Sequence, residues 1–215
     1  MMLRITRPII ACLLGAALAA TEPASRPAVE PVDSGAPATR PADASPVDAM
    51  LRYNAAMRAG DTQGIIDSYH TTTPEEARYV RLIADAETHI GRLLTESARR
   101  FGEPAAKKVG KAIGDLGDDD ARRAKVTTDG DTAQLVFDDP DFPLNLIRID
   151  GVWKYDFRKW LGAESGLPTQ IWVEGAMRTG HLAKVLAQDV AIGKFKTVDE
   201  LIAEIERELK RQRGE

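Results

Sequence analysis

Asp85 and His89 stand four residues apart within a run of helical periodicity, so they share one face of a helix. A carboxylate beside an imidazole is a minimal general-base pair, and with His70 it becomes a partial metal site. An exposed helix pair without a role satisfies the same spacing and is the simpler reading. A second set is aromatic. Trp153, Tyr155 and Phe157 alternate along one extended run that exits at Trp160, with Tyr69 as an upstream partner. Such a row can line an apolar pocket and stack on a flat ligand, or it can be plain core, which is the commoner fate. A third set is acidic: Asp115, Asp118, Asp119 and Asp120 beside Gly114 and Gly117. A calcium loop needs acids at alternating positions and a distal glutamate. That spacing is missing, so a solvated loop that caps the next segment is expected.

The rest of the catalytic inventory is thin. No Gly-x-Ser-x-Gly, His-Glu-x-x-His or phosphate-cradling glycine loop is present. There are three histidines and one cysteine, Cys12. No metal and no cofactor are expected. The 29 basic and 33 acidic residues leave a net charge of −4. No basic stripe is interleaved with aromatics, which argues against nucleic acid as a partner.

The elements that must position these residues begin late in the chain. Residues 1–20 read as a signal peptide: Arg4 and Arg7, an apolar run from Ile9 to Leu18, and Ala17-Leu18-Ala19 before a cut near Ala19. The run is shorter than the about 20 apolar residues a permanent span needs. Cys12 resembles a lipidation site only loosely, because the apolar run continues beyond it. Ordinary cleavage and export, to the periplasm or outside, is the preferred reading. Residues 21–45 are rich in proline and alanine and hold no aromatic residue. They cannot bury enough apolar surface to offset their ordering entropy, so a disordered spacer is expected.

Ser45-Pro46-Val47-Asp48 then opens a helix, with a capping hydroxyl and proline at the first turn. Gly60 ends it, and Asp61 caps a short second helix. Thr73-Pro74-Glu75-Glu76 opens a long helix in which Val80, Ile83, Ile90 and Leu94 keep helical spacing, closed at Gly102. No strand is read between the second and third helices. A weaker helix is expected over 103–116. The period then changes to two. Asp129-Gly130 and Asp150-Gly151 are hairpin signals. They predict four antiparallel strands at about 123–128, 132–138, 143–149 and 152–157, with a break at Pro140 and Pro143. A turn at 162–168 and helices at 169–190 and 198–213 follow. Trp172 and His181 fall on the first of these two, where Trp172 could pack the extension onto the sheet. Leu201, Ile205 and Leu209 form a stripe on the second that could pair with another copy. Docking onto its own domain is preferred.

The fold class expected is therefore α+β: N-terminal helices on a curved antiparallel four-stranded sheet, with two additional C-terminal helices. Two stretches, Ala56-Met57-Arg58-Ala59-Gly60-Asp61 and Ile149-Asp150-Gly151-Val152-Trp153-Lys154-Tyr155-Asp156, resemble the NTF2-like (SnoaL-like, cone-shaped α+β) superfamily. The resemblance covers residues 46–160 and leaves 161–215 as a helical extension packed on that domain. It implies a strand between the second and third helices, which this sequence does not display. It implies no single activity, since the family includes isomerases, dehydratases, cyclases and noncatalytic domains. No catalytic residue is carried over.

The favoured function is an exported, noncatalytic ligand- or partner-binding or scaffold domain. Its partner would be a small apolar ligand or an envelope protein, with Trp153, Tyr155, Phe157 and Tyr69 as lining candidates. The alternative is an isomerase- or hydrolase-like enzyme using Asp85, His89 or His70 at the mouth of the cone.

Overall fold

The computed structural model describes residues 45–137, 143–160 and 169–214. The expected signal peptide with Cys12, residues 21–44 of the spacer, the break at Pro140 and the 162–168 turn lie outside these residues. Among the described residues the fold is α+β, with eight helices and one five-stranded sheet. No described helix is long and apolar enough to cross a membrane.

Local chemistry sets the first half. α1 (Pro46–Ala59) starts at Ser45, whose Oγ accepts the Asp48 N–H at 3.2 Å. It ends at Gly60, which takes the left-handed conformation at φ 68°. Asp61 then accepts the Gly64 N–H at 2.8 Å and starts α2 (Thr62–Asp67). After two residues of strand, β1 (Tyr69–His70), Thr73 caps α3 (Pro74–Phe101). α4 (Glu103–Ile113) stops three residues short of the expected end, because Gly114 turns left-handed at φ 89°.

The next segment departs from expectation. Residues 118–123 form a short helix, α5 (Asp118–Arg123), where acidic loop and strand had been read. Three aspartates in its first turn suit the positive end of the helix dipole. Strands β2 (Lys125–Asp129), β3 (Thr132–Val136), β4 (Leu144–Ile149) and β5 (Val152–Asp156) follow as an antiparallel meander. Asp150 and Gly151 both take positive φ, 51° and 79°, as a tight two-residue turn requires. A single turn, α6 (Phe157–Trp160), closes β5.

The sheet order is β1-β5-β4-β3-β2, so the expected all-antiparallel four-stranded sheet is corrected to a mixed one of five. β1 pairs parallel to β5, with Tyr69 opposite Tyr155. The Tyr155 N–H donates to the Ser68 carbonyl at 2.8 Å. Two residues are too few to show period-two alternation, which is why the sequence hid this strand. Register places Tyr69, Tyr155, Leu146 and Ala133 in one row across the sheet. Trp153 and Tyr155 are 4 % exposed and Phe157 is fully buried, so this face is the core face.

Two C-terminal helices complete the fold: α7 (Thr169–Ala191) and α8 (Val198–Arg213). α7 packs chiefly along α3, and Trp172 is partly buried against the core. Gly180 makes this possible, since a Cβ there would lie 2.5 Å from the Ala86 Cα. α8 lies on α4 and α7, and Leu201, Ile205 and Leu209 are buried there. The stripe that could have paired with a second copy is thus filled from within the chain.

Candidate functional site

Helical period brings Tyr53 of α1 and Glu87 of α3 to the sheet's core face. Val80, Ile83, Glu87, Ile90 and Leu94 follow steps of three and four, so Glu87 occupies a core-facing position in an otherwise apolar stripe. Tyr53 lies between the buried Met50 and Met57 on α1 in the same way. The two helices meet closely, because a Cβ at Gly91 would lie 1.9 Å from the Met57 carbonyl oxygen.

Four rings gather where α1 faces β1 and β5. Tyr53 meets Tyr155 edge to face at 5.2 Å between centroids, and Tyr69 in the same manner at 6.1 Å. Tyr69 lies 5.4 Å from Tyr155 and 6.2 Å from Phe157. These geometries suit the ring quadrupoles. Tyr69 and Tyr155 are buried, whereas Tyr53 keeps partial contact with solvent. Tyr53 acts on the Glu87 carboxyl in the sense that favours its ionised form.

Glu87 is crowded by protein and yet half-buried by exposure, as is Asp115 at the α4–α5 connection. Burial, and then repulsion from Asp115, push the Glu87 carboxyl up to about 7. Burial pushes Asp115 up to about 6, with Arg58 opposing and Asp120 and Asp118 adding to it. Burial also raises all three tyrosine hydroxyls above their ordinary range.

The remaining aspartates of the acidic run are individually held. Asp118 accepts two bonds from Arg58 at 2.8 Å and one from the buried Asn54 at 3.1 Å. Asn54 also donates to the Leu116 carbonyl at 3.1 Å, tying α1 to the connection that carries Asp115. Asp119 pairs with Lys107, and Asp120 accepts from the Gly117 N–H and from Arg123. Asp115 stays in the connecting loop, while Asp118, Asp119 and Asp120 form the first turn of α5, which Asp120 caps through the Gly117 N–H.

The residues singled out by spacing fare differently. Asp85 and His89 do come within 4.0 Å, but the Asp85 side chain is 78 % exposed. Both stand two positions from Glu87, about 200° around α3, and so away from the tyrosines. His70 follows Tyr69 on β1, and strand alternation turns it to the other face of the sheet. Tyr69, Tyr155 and Phe157 share the ring cluster. Trp153 lies two residues along β5, beneath the Arg148 guanidinium at 5.2 Å, and its carbonyl accepts from Arg52 at 3.1 Å. The side chain of Trp160 lies outside those described. Among the described residues, no three His, Cys, Asp or Glu side chains form a group that could hold a metal ion.

Sequence reasoning missed Tyr53 and Glu87, and read Asp115 only as part of a solvated acidic loop. The Glu87 signal was available as the one charged residue in step with Val80, Ile83, Ile90 and Leu94. Asp115 stood in the acidic set, but only the fold brings the α4–α5 connection to α1. No family model, no curated protein and no solved structure matches this chain.

Proposed function

We propose that this chain is an exported envelope protein whose folded unit is a noncatalytic NTF2-like domain that binds a small ligand. The ligand site is the recess at Tyr53, Glu87 and Asp115, with Tyr69, Tyr155 and Phe157 beneath it and Trp153 alongside. One observation carries this reading: Glu87 sits on the core face of α3, crowded by protein and half-accessible, with no cation in ion-pair range among the described residues. An uncompensated buried carboxyl costs several kcal/mol, so folding alone gives no reason to keep one.

The family reading draws support from element order. Two helices, a short strand and a long helix precede the meander, with α4 and α5 inserted before it, and Tyr69–His70 supplies the strand the sequence left blank. Curvature of the sheet into a cone belongs to the same proposal. Export rests on the pattern of residues 1–20, and the amino-terminal mass of the secreted chain tests it. A start at Ala20 or Thr21 supports cleavage, and a lipidated Cys12 overturns it.

The binding site is tested by amide spectra of the folded chain titrated with a fragment set. Shifts centred on Tyr53, Glu87 and Asp115 are expected. Hits confined to other surfaces would reject the recess. The second reading, an isomerase- or hydrolase-like enzyme, has its support in the Glu87 carboxyl at about 7, a range suited to proton transfer at neutral pH. It requires a turnover that Glu87→Gln abolishes and Asp85→Ala or His89→Ala leaves intact.

A further inference from the structure

The two edges of the sheet are unequal. One is β1, two residues long and carrying the buried Tyr69. The other is β2, five residues, all exposed, with no strand on its outer side among the described residues. Free N–H and C=O groups on such an edge pair readily with other chains, so long regular edges are usually blunted by proline, a bulge or charge. Lys125-Val126-Thr127-Thr128-Asp129 has no proline and no bulge, since it pairs residue for residue with β3. Its charges stand only at its two ends, one of each sign.

Register determines which backbone groups are free. The Thr132 hydroxyl donates to the Asp129 carbonyl at 2.9 Å, so that carbonyl points at β3. Hydrogen-bonded and non-bonded pairs alternate along an antiparallel ladder. Lys125, Thr127 and Asp129 therefore direct their backbone groups to β3, and Val126 and Thr128 direct theirs outward. Side chains alternate as well. Val126 and Thr128 stand opposite the buried Leu135 and Ala133, on the core face, and Lys125, Thr127 and Asp129 lie on the other. Val126 is 39 % exposed even on the core face, so the helical layer leaves it uncovered.

We propose that β2 is a docking edge for a second copy of this chain, the two strands running antiparallel about Thr127. The strand is complementary to itself in that register. Lys125 of each copy falls opposite Asp129 of the other, Val126 opposite Thr128, and Thr127 opposite Thr127. The outward backbone groups of Val126 and Thr128 then meet and exchange hydrogen bonds. Lys125 and Asp129 form a non-bonded pair, where opposite side chains approach most closely. Neither has an ion pair within its own chain among the described residues. A shift by one residue would set outward groups against groups already turned to β3. A shift by two would leave only three of the five residues paired. The two-fold axis stands perpendicular to the sheet, so both helical layers lie on one side of a continuous sheet. The uncovered Val126 leaves room between them, and the two Val126 side chains become diagonal neighbours there. An unrelated extended segment would satisfy the backbone but not both charges.

The test is sedimentation of the whole chain from about 10 micromolar to about 1 millimolar, the range suited to a small edge interface. Amide hydrogen exchange is read at both ends of the series. The mass should rise from one copy to two. Protection should be gained at Val126 and Thr128 and not at Lys125, Thr127 and Asp129, whose N–H groups are already bonded to β3. Val126→Pro removes an outward donor and leaves the β3 ladder intact, so it should keep the fold and lose at least about tenfold in association. Lys125→Asp should weaken association by about tenfold, because it sets like charges opposite one another. Adding Asp129→Lys restores opposite signs and should restore association, a rescue that damage to the fold could not give. These charge variants decide the outcome if Val126→Pro does not fold. A single copy at every concentration would overturn the proposal. So would association that a folded Val126→Pro leaves unchanged, or that Lys125→Asp weakens without rescue by Asp129→Lys, or that Lys125→Asp does not weaken. Protection of Val126 and Thr128 in a chain that stays single would put one of its own segments on the edge and reject pairing between copies.

Discussion

Gly91 of α3 lies directly against the Met57 carbonyl of α1, and one helical turn earlier on each helix Tyr53 meets Glu87. The Thr95 hydroxyl donates to the Arg58 carbonyl at 3.3 Å in the same series, so the helices advance in the same sense through these contacts. The close approach at Gly91 thus sets the distance at which the tyrosine can reach the carboxyl. Without a bare backbone at position 91, α1 would stand farther from α3 and Tyr53 farther from Glu87.

Replacing Gly91 by alanine should therefore destabilise the domain sharply. The new methyl meets rigid backbone at 1.9 Å, not a yielding side chain. Overpacking of this kind costs about 1–3 kcal/mol and more when backbone must move. Urea unfolding would measure it, and a midpoint within error of the parent would show that α1 shifts freely.

The pH dependence of stability has a defined sign. The folded chain holds a proton on Glu87 between its ordinary value of 4.5 and about 7, where the unfolded chain has released it. Stability is then full below that window and falls as pH rises through it. Glu87→Gln should match the parent's thermal midpoint most closely near pH 4.5. At pH 8 it should exceed the parent by on the order of 1–3 kcal/mol. A variant weaker than the parent at pH 8 would mean that the ionised carboxylate is stabilised by something other than Tyr53.

Asn54→Ala should cost about 1–3 kcal/mol, because it strips buried partners from the Leu116 carbonyl and from Asp118. It should also loosen the segment that holds Asp115 near Glu87. Carboxyl titration by ¹³C spectra would then report a Glu87 midpoint displaced toward its ordinary value. An unmoved midpoint would show that the connection is held without Asn54.

The C-terminal helices offer a contrast on comparable side chains. Ile205 of α8 is fully buried, while Ile192, just past α7, is 79 % exposed. Ile205→Ala should cost about 2–5 kcal/mol and Ile192→Ala less than about 0.5 kcal/mol. Equal losses in thermal unfolding would contradict the docking of α8 on α4 and α7.

Much of the architecture was written in local chemistry. Ser45, Thr73 and Thr197 fix helix starts by accepting the N–H three residues on, a contact that lies within one turn. Asp150-Gly151 fixes a hairpin because both residues must adopt positive φ. The burial of Trp153, Tyr155 and Phe157 follows from their alternation. What remained hidden depends on contacts between distant segments. β1 exists because Ser68 and Tyr155 meet across the sheet, not because two residues prefer extension. Asp85 and His89 share a face by spacing alone, but only the packing of α3 decides that this face is not the one turned to the sheet. Asp115 comes near enough to act on the Glu87 carboxyl only when Asn54 and Arg58 draw the α4–α5 connection onto α1. Sequence fixes which groups can lie together on one element, since period is local. Tertiary structure decides which groups from different elements meet, since that depends on packing no single element encodes.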